Sequence, residues 1–461
     1  MSISSDSESD EVPRRRGEPD EEGGASGARA RSATASSGSS GSAGRGASSR
    51  DAPRSAGPGA ASAAATRRRG EDAFGVVQAL GPKQKDRPRA LVGLANLGNT
   101  CFMNSCLQCL SNTPELSGVF ASGAFERELD PKSKSRELTL NYAQLMQDMW
   151  RGGGKGGQVC IQPSALKMQI SRWARQFSGY NQHDAQELLR FLLDGLQEGL
   201  MRPKRELPFS FDDDAFDDRP VPEQAHRMWQ NYLARNDSLI TEVFCGQLHS
   251  RVVCSRCRRE SNCYDPFMDL SLPIPRGGGL KGGMFGGGEC SLEQCLAAFV
   301  EEERLSGMDE YYCAKCKKHQ EATKSMRLFR LPRVLVVHLK RFDKRFSRSK
   351  INTTVRFVPP PPPPHHSSCP LIARAPGRFP LANLDLAPFT SPASPERHSA
   401  QYQLCGITHH SGSTEGGHYI AHCRNYDDGA WYCFNDGRVS PVAGPPVDGS
   451  AYMLFYVRGG S

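Results

Sequence analysis

The sequence predicts an α+β architecture, helices first and an antiparallel sheet later. Two observations carry the prediction. Between about residues 100 and 237 the apolar residues recur at helical spacing, and beyond them they fall into short alternating runs parted by Gly- and Asp-containing turns. A third observation sets the boundary. Residues 1–88 are Ser, Ala, Gly, Arg and acidic residues with few large apolar side chains, too few to offset the entropy of ordering the backbone. They are expected to form a disordered arm, with 89–461 as the folded unit.

The first folded stretch is LVGLANLGNTCFMNSCLQCLSNTPEL. Val92, Leu94 and Leu97 lead into the turn NLGNT, after which Phe102, Cys106, Cys109 and Leu110 fall at helical spacing. Asn99 or Thr100 is the expected N-cap, and Pro114 is expected to end the helix. Further helices are predicted over 136–150, 163–177, 184–200 and 225–237, with a Pro- and Asp-rich exposed loop at 203–222. Residues 238–254 read as a strand, as do 330–342, 402–410, 417–425, 430–436 and 451–457. Two low-complexity inserts, 276–288 and 359–366, read as flexible surface loops.

Composition excludes several classes. The net charge is +8, of which residues 1–90 hold +3 (15 Lys and Arg against 12 Asp and Glu), and no focused basic stripe follows. A nucleic-acid partner is therefore not expected. No run of 18 apolar residues is present, so no membrane association is expected. The polar, acidic start MSISSDSESDE is unlike a secretory signal. The expected location is the cytosol or nucleus, where the 16 cysteines serve as core residues, metal ligands or a nucleophile rather than as disulfides.

Cys101 stands at the first turn of its helix, where free N–H groups favour a thiolate. Cys106 and Cys109 lie on the helix body and read as small core residues. A cysteine hydrolase also needs a base. His418, in EGGHYIAHC, follows two glycines and opens a strand that could hold it rigid. The next strand ends in WYCFNDGRVS, so a hairpin would set Asn435 or Asp436 beside the imidazole to fix its tautomer. Asn96 and Asn99, on the turn before Cys101, and the N–H groups of the helix start could hold an oxyanion.

A second constellation is CSRC with CAKC. Cys254, Cys257, Cys313 and Cys316 make two pairs at metal-knuckle spacing, and four thiolates satisfy one tetrahedral Zn²⁺. With every position filled by protein, such a site is structural. Cys263, Cys290 and Cys295 lack the spacing and read as core or surface thiols.

At these residues the chain resembles the ubiquitin-specific proteases. GLANLGNTCFMNSCLQCL is similar to that family's cysteine box and GYNQHDAQELLRFLLDGL to its second box. VLVVHLKRF, GGHYIAHCRN and WYCFNDGRVSPV resemble its later boxes, in order, and the likeness covers about residues 91–458. The resemblance implies a papain-like fold with a helical thumb, a β palm and zinc-tipped β fingers. It implies a thiol-dependent deubiquitinase acting as a monomer on ubiquitin and ubiquitinated proteins. In that reading Cys101 is the nucleophile, His418 the base, Asn435 the third residue with Asp436 as the adjacent candidate, and Asn96 the oxyanion donor. Asp184 would meet an arginine near ubiquitin's C-terminus, and Tyr419 would line the channel for the Gly-Gly tail. Two other readings are an idle ubiquitin-binding relative, suggested by the asparagine at 435, and a zinc-dependent nucleic-acid binder.

Overall fold

A computed structural model of the chain describes residues 88–151, 160–210, 216–275, 288–342, 350–357, 383–413 and 416–459. The 1–88 arm, all but its last residue, and nearly all of the two low-complexity inserts lie outside these residues.

The first half is helical: α1 (Cys101–Ser111), α2 (Pro114–Ser122), α3 (Arg136–Trp150), α4 (Ser164–Trp173), α5 (Ala185–Gly199) and α6 (Val221–Asn236). Every residue of α1 is buried. This explains a helix with three thiols and almost no charge. Pro114 does not end α1. It starts α2 at a first-turn position, where a proline N–H would go unused in any case. In α5, Leu188, Leu189, Leu192, Leu193 and Leu196 form one buried stripe, and Asp184 caps the helix. Residues 238–244 are not the expected strand. Ser238 accepts from the Thr241 N–H and starts a short helix, α7 (Leu239–Phe244), because a polar cap outweighs a brief apolar alternation.

Two sheets follow. The smaller is built on β1 (Gly246–Cys254), β2 (Glu260–Phe267) and β3 (Ala322–Arg330), long antiparallel strands with Cys254 at one end of β1. The larger runs through β4 (Val334–Leu339), β5 (Gln401–Gly412), β6 (Gly417–Arg424), β7 (Trp431–Asn435), β8 (Arg438–Val442) and β9 (Ala451–Arg458). Its order is β8-β7-β6-β5-β9-β4, antiparallel throughout, with Leu270–Leu272 added parallel to β4 at the edge. Ser411 pairs with His418, and Ala421 with Phe434. That register sets the start of β6 beside the end of β7. The helices pack on β6 and β9 through a continuous core holding Phe102, Cys106, Leu192, Tyr419 and Phe455. Among the described residues no helix is long and apolar enough to cross a membrane.

The larger sheet also buries three imidazoles: His409, His410 and His422. His409 and His422 meet edge to face at 4.8 Å. His409 Nδ1 lies 2.9 Å from Ser450 Oγ. Burial pushes His409 down to about 3, reinforced by His422, Arg341 and Lys350 against the pull of Asp448. Burial likewise pushes His410 and His422 down to about 4. In the unfolded chain these rings take up protons below about 6.5. Folding therefore excludes protons between that value and about 4, and stability that is whole above the window is lost as pH falls through it. We expect urea unfolding to show this loss between about pH 7 and about pH 5, and His409→Asn to flatten the slope by about 1.4 kcal/mol per pH unit. An unchanged slope would show that His409 is already charged in the folded protein.

Candidate active site

Cys101 begins α1 and is 3% exposed. The turn before it passes through left-handed backbone at Gly98 (φ +99°) and Asn99 (φ +56°). A Cβ on Gly98 would stand 2.6 Å from the Tyr180 ring, so this position needs glycine. Thr100, at the N-cap position, makes no side-chain cap bond. Asn96 supplies the acceptor for this turn instead: its Oδ1 accepts from the N–H groups of Gly98 (3.0 Å) and Thr100 (3.1 Å). Asn99 turns away from the site, donating its Nδ2 to the Tyr180 carbonyl at 2.8 Å.

The thiol does not follow the expectation of a lowered pKa. Burial pushes Cys101 up, the backbone N–H of Tyr419 pulls it down, and the Asp436 carboxylate pushes it up again. Desolvation of the thiolate outweighs the helix N-terminus. Cys106 and Cys109 are buried, as expected of core thiols, and burial raises both well above the ordinary range.

The Tyr419 N–H that pulls the Cys101 thiol down belongs to the residue after His418. His418 Nε2 lies 2.8 Å from Asn435 Oδ1. A carboxamide oxygen only accepts, so the imidazole carries its proton on Nε2 and keeps Nδ1 basic. Asp436 has a different task. At φ +47° its side chain leaves the line of β7, and its carboxylate accepts from Asn96 Nδ2 (3.0 Å) and Asn104 Nδ2 (2.7 Å). Its carbonyl accepts from the Leu94 N–H at 2.9 Å. Of the two candidates left open by the sequence, Asn435 holds the histidine and Asp436 holds the segment before the cysteine.

Asp184 Oδ1 accepts from the N–H groups of Gln186 (2.7 Å) and Glu187 (3.3 Å), and its Oδ2 accepts from the Tyr452 hydroxyl. The Tyr419 ring is buried against His410 (4.6 Å) and Tyr452 (5.7 Å). Asp184 and Tyr419 thus meet the same tyrosine. Two residues that sequence reasoning missed tie the loops together. Gln182 Oε1 accepts from the Gly417 N–H at 2.7 Å, joining the approach to α5 to the start of β6. Asn104 is the other. Both are neutral amides, which carry no signal of their own in a sequence.

Away from this site, the sulfurs of Cys254, Cys257, Cys313 and Cys316 all lie within 4.8 Å of one another. Each pair closes a turn whose next residue, Arg258 or Lys317, is left-handed. Their N–H groups donate back to the carbonyls of Cys254 (3.0 Å) and Cys313 (2.7 Å). The Cys316 N–H and neighbouring thiols pull Cys313 down to about 6. Cys257 and Cys313 Sγ stand 3.5 Å apart, near the edge of about 3.8 Å for a tetrahedron of sulfurs around one zinc. The cluster could hold a metal ion. Cys263 is exposed and Cys290 and Cys295 are buried, outside this cluster. The expected exposed loop at 203–222 is described over 203–210 and 216–222, where Asp217 pairs with Arg259 at 2.6 Å.

The chain belongs to the ubiquitin carboxyl-terminal hydrolase family, whose model matches residues 92–456. It is 38% identical over 399 residues to ubiquitin carboxyl-terminal hydrolase 2 of Homo sapiens, covering 83% of this chain and 59% of that protein. To the hydrolase 2 of Gallus gallus it is 40% identical over 382 residues, covering 81% of this chain and 95% of that one. The chain thus spans less than two thirds of the human relative's length. Among solved structures, a SAGA DUB module of Ubp8, Sgf11, Sus1 and Sgf73 bound to monoubiquitin matches with a TM-score of 0.57 and 25% identity, over 82% of this chain and 72% of that one. The fold is the α+β, papain-like type of the ubiquitin-specific proteases.

The raised thiol is open to measurement. Alkylation of Cys101 by iodoacetamide, followed against pH by peptide mass spectrometry, should reach half-maximal rate above the midpoint of an ordinary thiol. Asp436→Asn removes a negative charge that holds the thiol up, so the midpoint should move down. A midpoint that stays or rises would contradict this account of the charge balance.

Proposed function

We propose that this protein is a thiol-dependent deubiquitinase that hydrolyses the bond after ubiquitin's C-terminal glycine and removes ubiquitin from protein conjugates. The observation that carries the reading is the meeting of three segments. The Tyr419 backbone N–H, next to His418, pulls the Cys101 thiol down, His418 is held by Asn435, and Asn96 is held by Asp436. The relatives named as ubiquitin carboxyl-terminal hydrolases support it.

In this mechanism Cys101 gives its proton to His418 Nδ1 and the sulfur attacks the terminal glycine carbonyl. The carbonyl oxygen takes the negative charge. Asn96 Nδ2 spends one hydrogen on Asp436 and keeps the second for that oxygen, beside the N–H groups at the start of α1. The protonated His418 then gives its proton to the departing lysine amine, leaving a thioester. Water, deprotonated by His418, splits the thioester and frees the thiol. Asn435 orients the ring through Nε2, and as an amide it stabilises the imidazolium less than a carboxylate would. Asp184 Oδ2, which accepts from Tyr452, keeps a spare lone pair for a basic group near ubiquitin's tail. Tyr419 backs the channel for the Gly-Gly end.

The four cysteines would hold one structural Zn²⁺, each as a thiolate, cross-linking the turn at the end of β1 to the turn of the two-stranded ribbon 311–320. We further propose that the enzyme works as a monomer in the cytosol or nucleus, with residues 89–461 as the catalytic unit behind an arm of 1–88.

The test uses ubiquitin carrying a C-terminal thiol-reactive electrophile. One adduct is expected, on Cys101 among 16 cysteines, absent in Cys101→Ala. His418→Ala should slow turnover of ubiquitin amides by about 10²-fold or more. Binding of ubiquitin without an adduct would leave an idle scaffold; labelling of another cysteine would reassign the nucleophile. Elemental analysis should find one zinc per chain, lost with cooperative unfolding at lower temperature in Cys254→Ser with Cys313→Ser. A chain free of zinc, or one that keeps it in that variant, would overturn the zinc assignment.

A further inference from the structure

We propose that Asn104 is a positioning residue for the oxyanion site, acting through Asp436 on Asn96. The inference rests on the hydrolase reading above. Asn104 lies one turn after Cys101 on α1 and is 2% exposed. Its Nδ2 donates to Asp436 Oδ1 at 2.7 Å and lies 3.2 Å from the carbonyls of both Leu94 and Ala95. One amide group therefore touches three segments: the helix that carries Cys101, the stretch that leads into Asn96, and the turn that carries Asn435 and Asp436.

The bond to Asp436 is the short one, and its acceptor is charged, which makes it the strongest of the three. Asp436 uses its other oxygen for Asn96 Nδ2. The two amides thus pin the carboxylate from both sides, and the carboxylate sets the angle of the Asn96 amide. Asn104 Oδ1 is buried and has no partner among the described residues. A residue chosen only to fill space would avoid that cost. The donor end of this side chain is what the site uses.

Without Asn104, Asp436 Oδ1 loses a charged hydrogen bond and the carboxylate is free to rotate. The free hydrogen of Asn96 then no longer points to one place. Oxyanion stabilisation depends on donors fixed before the charge develops, so turnover falls while substrate binding does not. The thiol itself is not held by Asn104, so reactions at sulfur that build no oxyanion should be spared.

The experiment uses the full chain with Asn104→Ala and Asn104→Asp. Hydrolysis of a fluorogenic amide at ubiquitin's C-terminus gives kcat and KM, and iodoacetamide gives the intrinsic reactivity of Cys101. For Asn104→Ala, kcat should fall about tenfold to a hundredfold, less than the 10²–10³ typical of losing an oxyanion donor outright. KM and the alkylation rate should each stay within about twofold, since neither needs the oxyanion donors. Asn104→Asp sets a second carboxylate against Asp436 and should lower kcat further. Combining Asn104→Ala with Asn96→Ala should be no worse than Asn96→Ala alone. Asn104→Ser, with a small polar side chain, serves if the alanine variant does not fold.

Unchanged kcat overturns the inference. So does a parallel loss of kcat, alkylation rate and melting temperature, which marks a merely structural residue, and so do multiplicative losses in the double variant. A wild-type chain that does not turn the substrate over overturns the hydrolase reading and this inference with it. An active wild type with unaffected Asn104 variants overturns this inference alone.

Discussion

The Asp436 carboxylate is the tie on which the site depends. It accepts from Asn96 at 3.0 Å and from Asn104 at 2.7 Å, while the Asp436 carbonyl accepts from Leu94. Those partners belong to the helical half of the chain; Asp436 directly follows β7 in the sheet half. Hydrogen bonds to an ionised acceptor are about twice as strong as neutral ones, so this junction is firm where two layers of the fold meet. Its geometry follows from one backbone angle. A left-handed Asp436 swings its side chain away from β7, whereas Asn435, still in the strand, faces His418. Neighbouring residues thereby serve two different loops.

Other ties brace the same seam. The Tyr452 hydroxyl meets the carboxylate that caps α5, and Gln182 holds the Gly417 N–H just before His418. Further along α5, Arg190 Nη1 and Gln186 Nε2 reach Asp269 at 2.7 and 3.0 Å, next to the edge strand of the larger sheet. The helix that begins at Asp184 is thus fixed to the sheet at both its cap and its body. Such bracing keeps reacting groups in place before a substrate arrives, which is what catalysis by fixed dipoles requires.

Much of this was legible in the sequence, for physical reasons. Period gives element type, so α3, α5 and the strands β4 to β7 and β9 fall where the apolar spacing puts them. Two knuckle spacings brought four cysteines to one point. Cys101, His418, Asn435 and Asp436 could be named because each stands at an element end, which the turn residues beside it mark in the sequence. The failures are equally physical. A cap at Ser238 turned a strand-like run into α7. Pro114 marks a start as readily as a stop, since the N–H it lacks goes unused in the first turn of a helix. The direction of the Cys101 shift depends on burial, which spacing does not reveal. The choice between Asn435 and Asp436 hung on a backbone angle. Asn104 and Gln182 act through contacts hundreds of residues away.

The division of labour between Asn435 and Asp436 is the central claim, and the nitrogen resonances of the His418 ring test it most directly. In protein with ¹⁵N-labelled histidine, His418 should carry its proton on Nε2 in the wild type and in Asp436→Asn, and lose that preference in Asn435→Ala. A ring that keeps its tautomer in Asn435→Ala but loses it in Asp436→Asn would show that the carboxylate, and not the amide, orients the histidine.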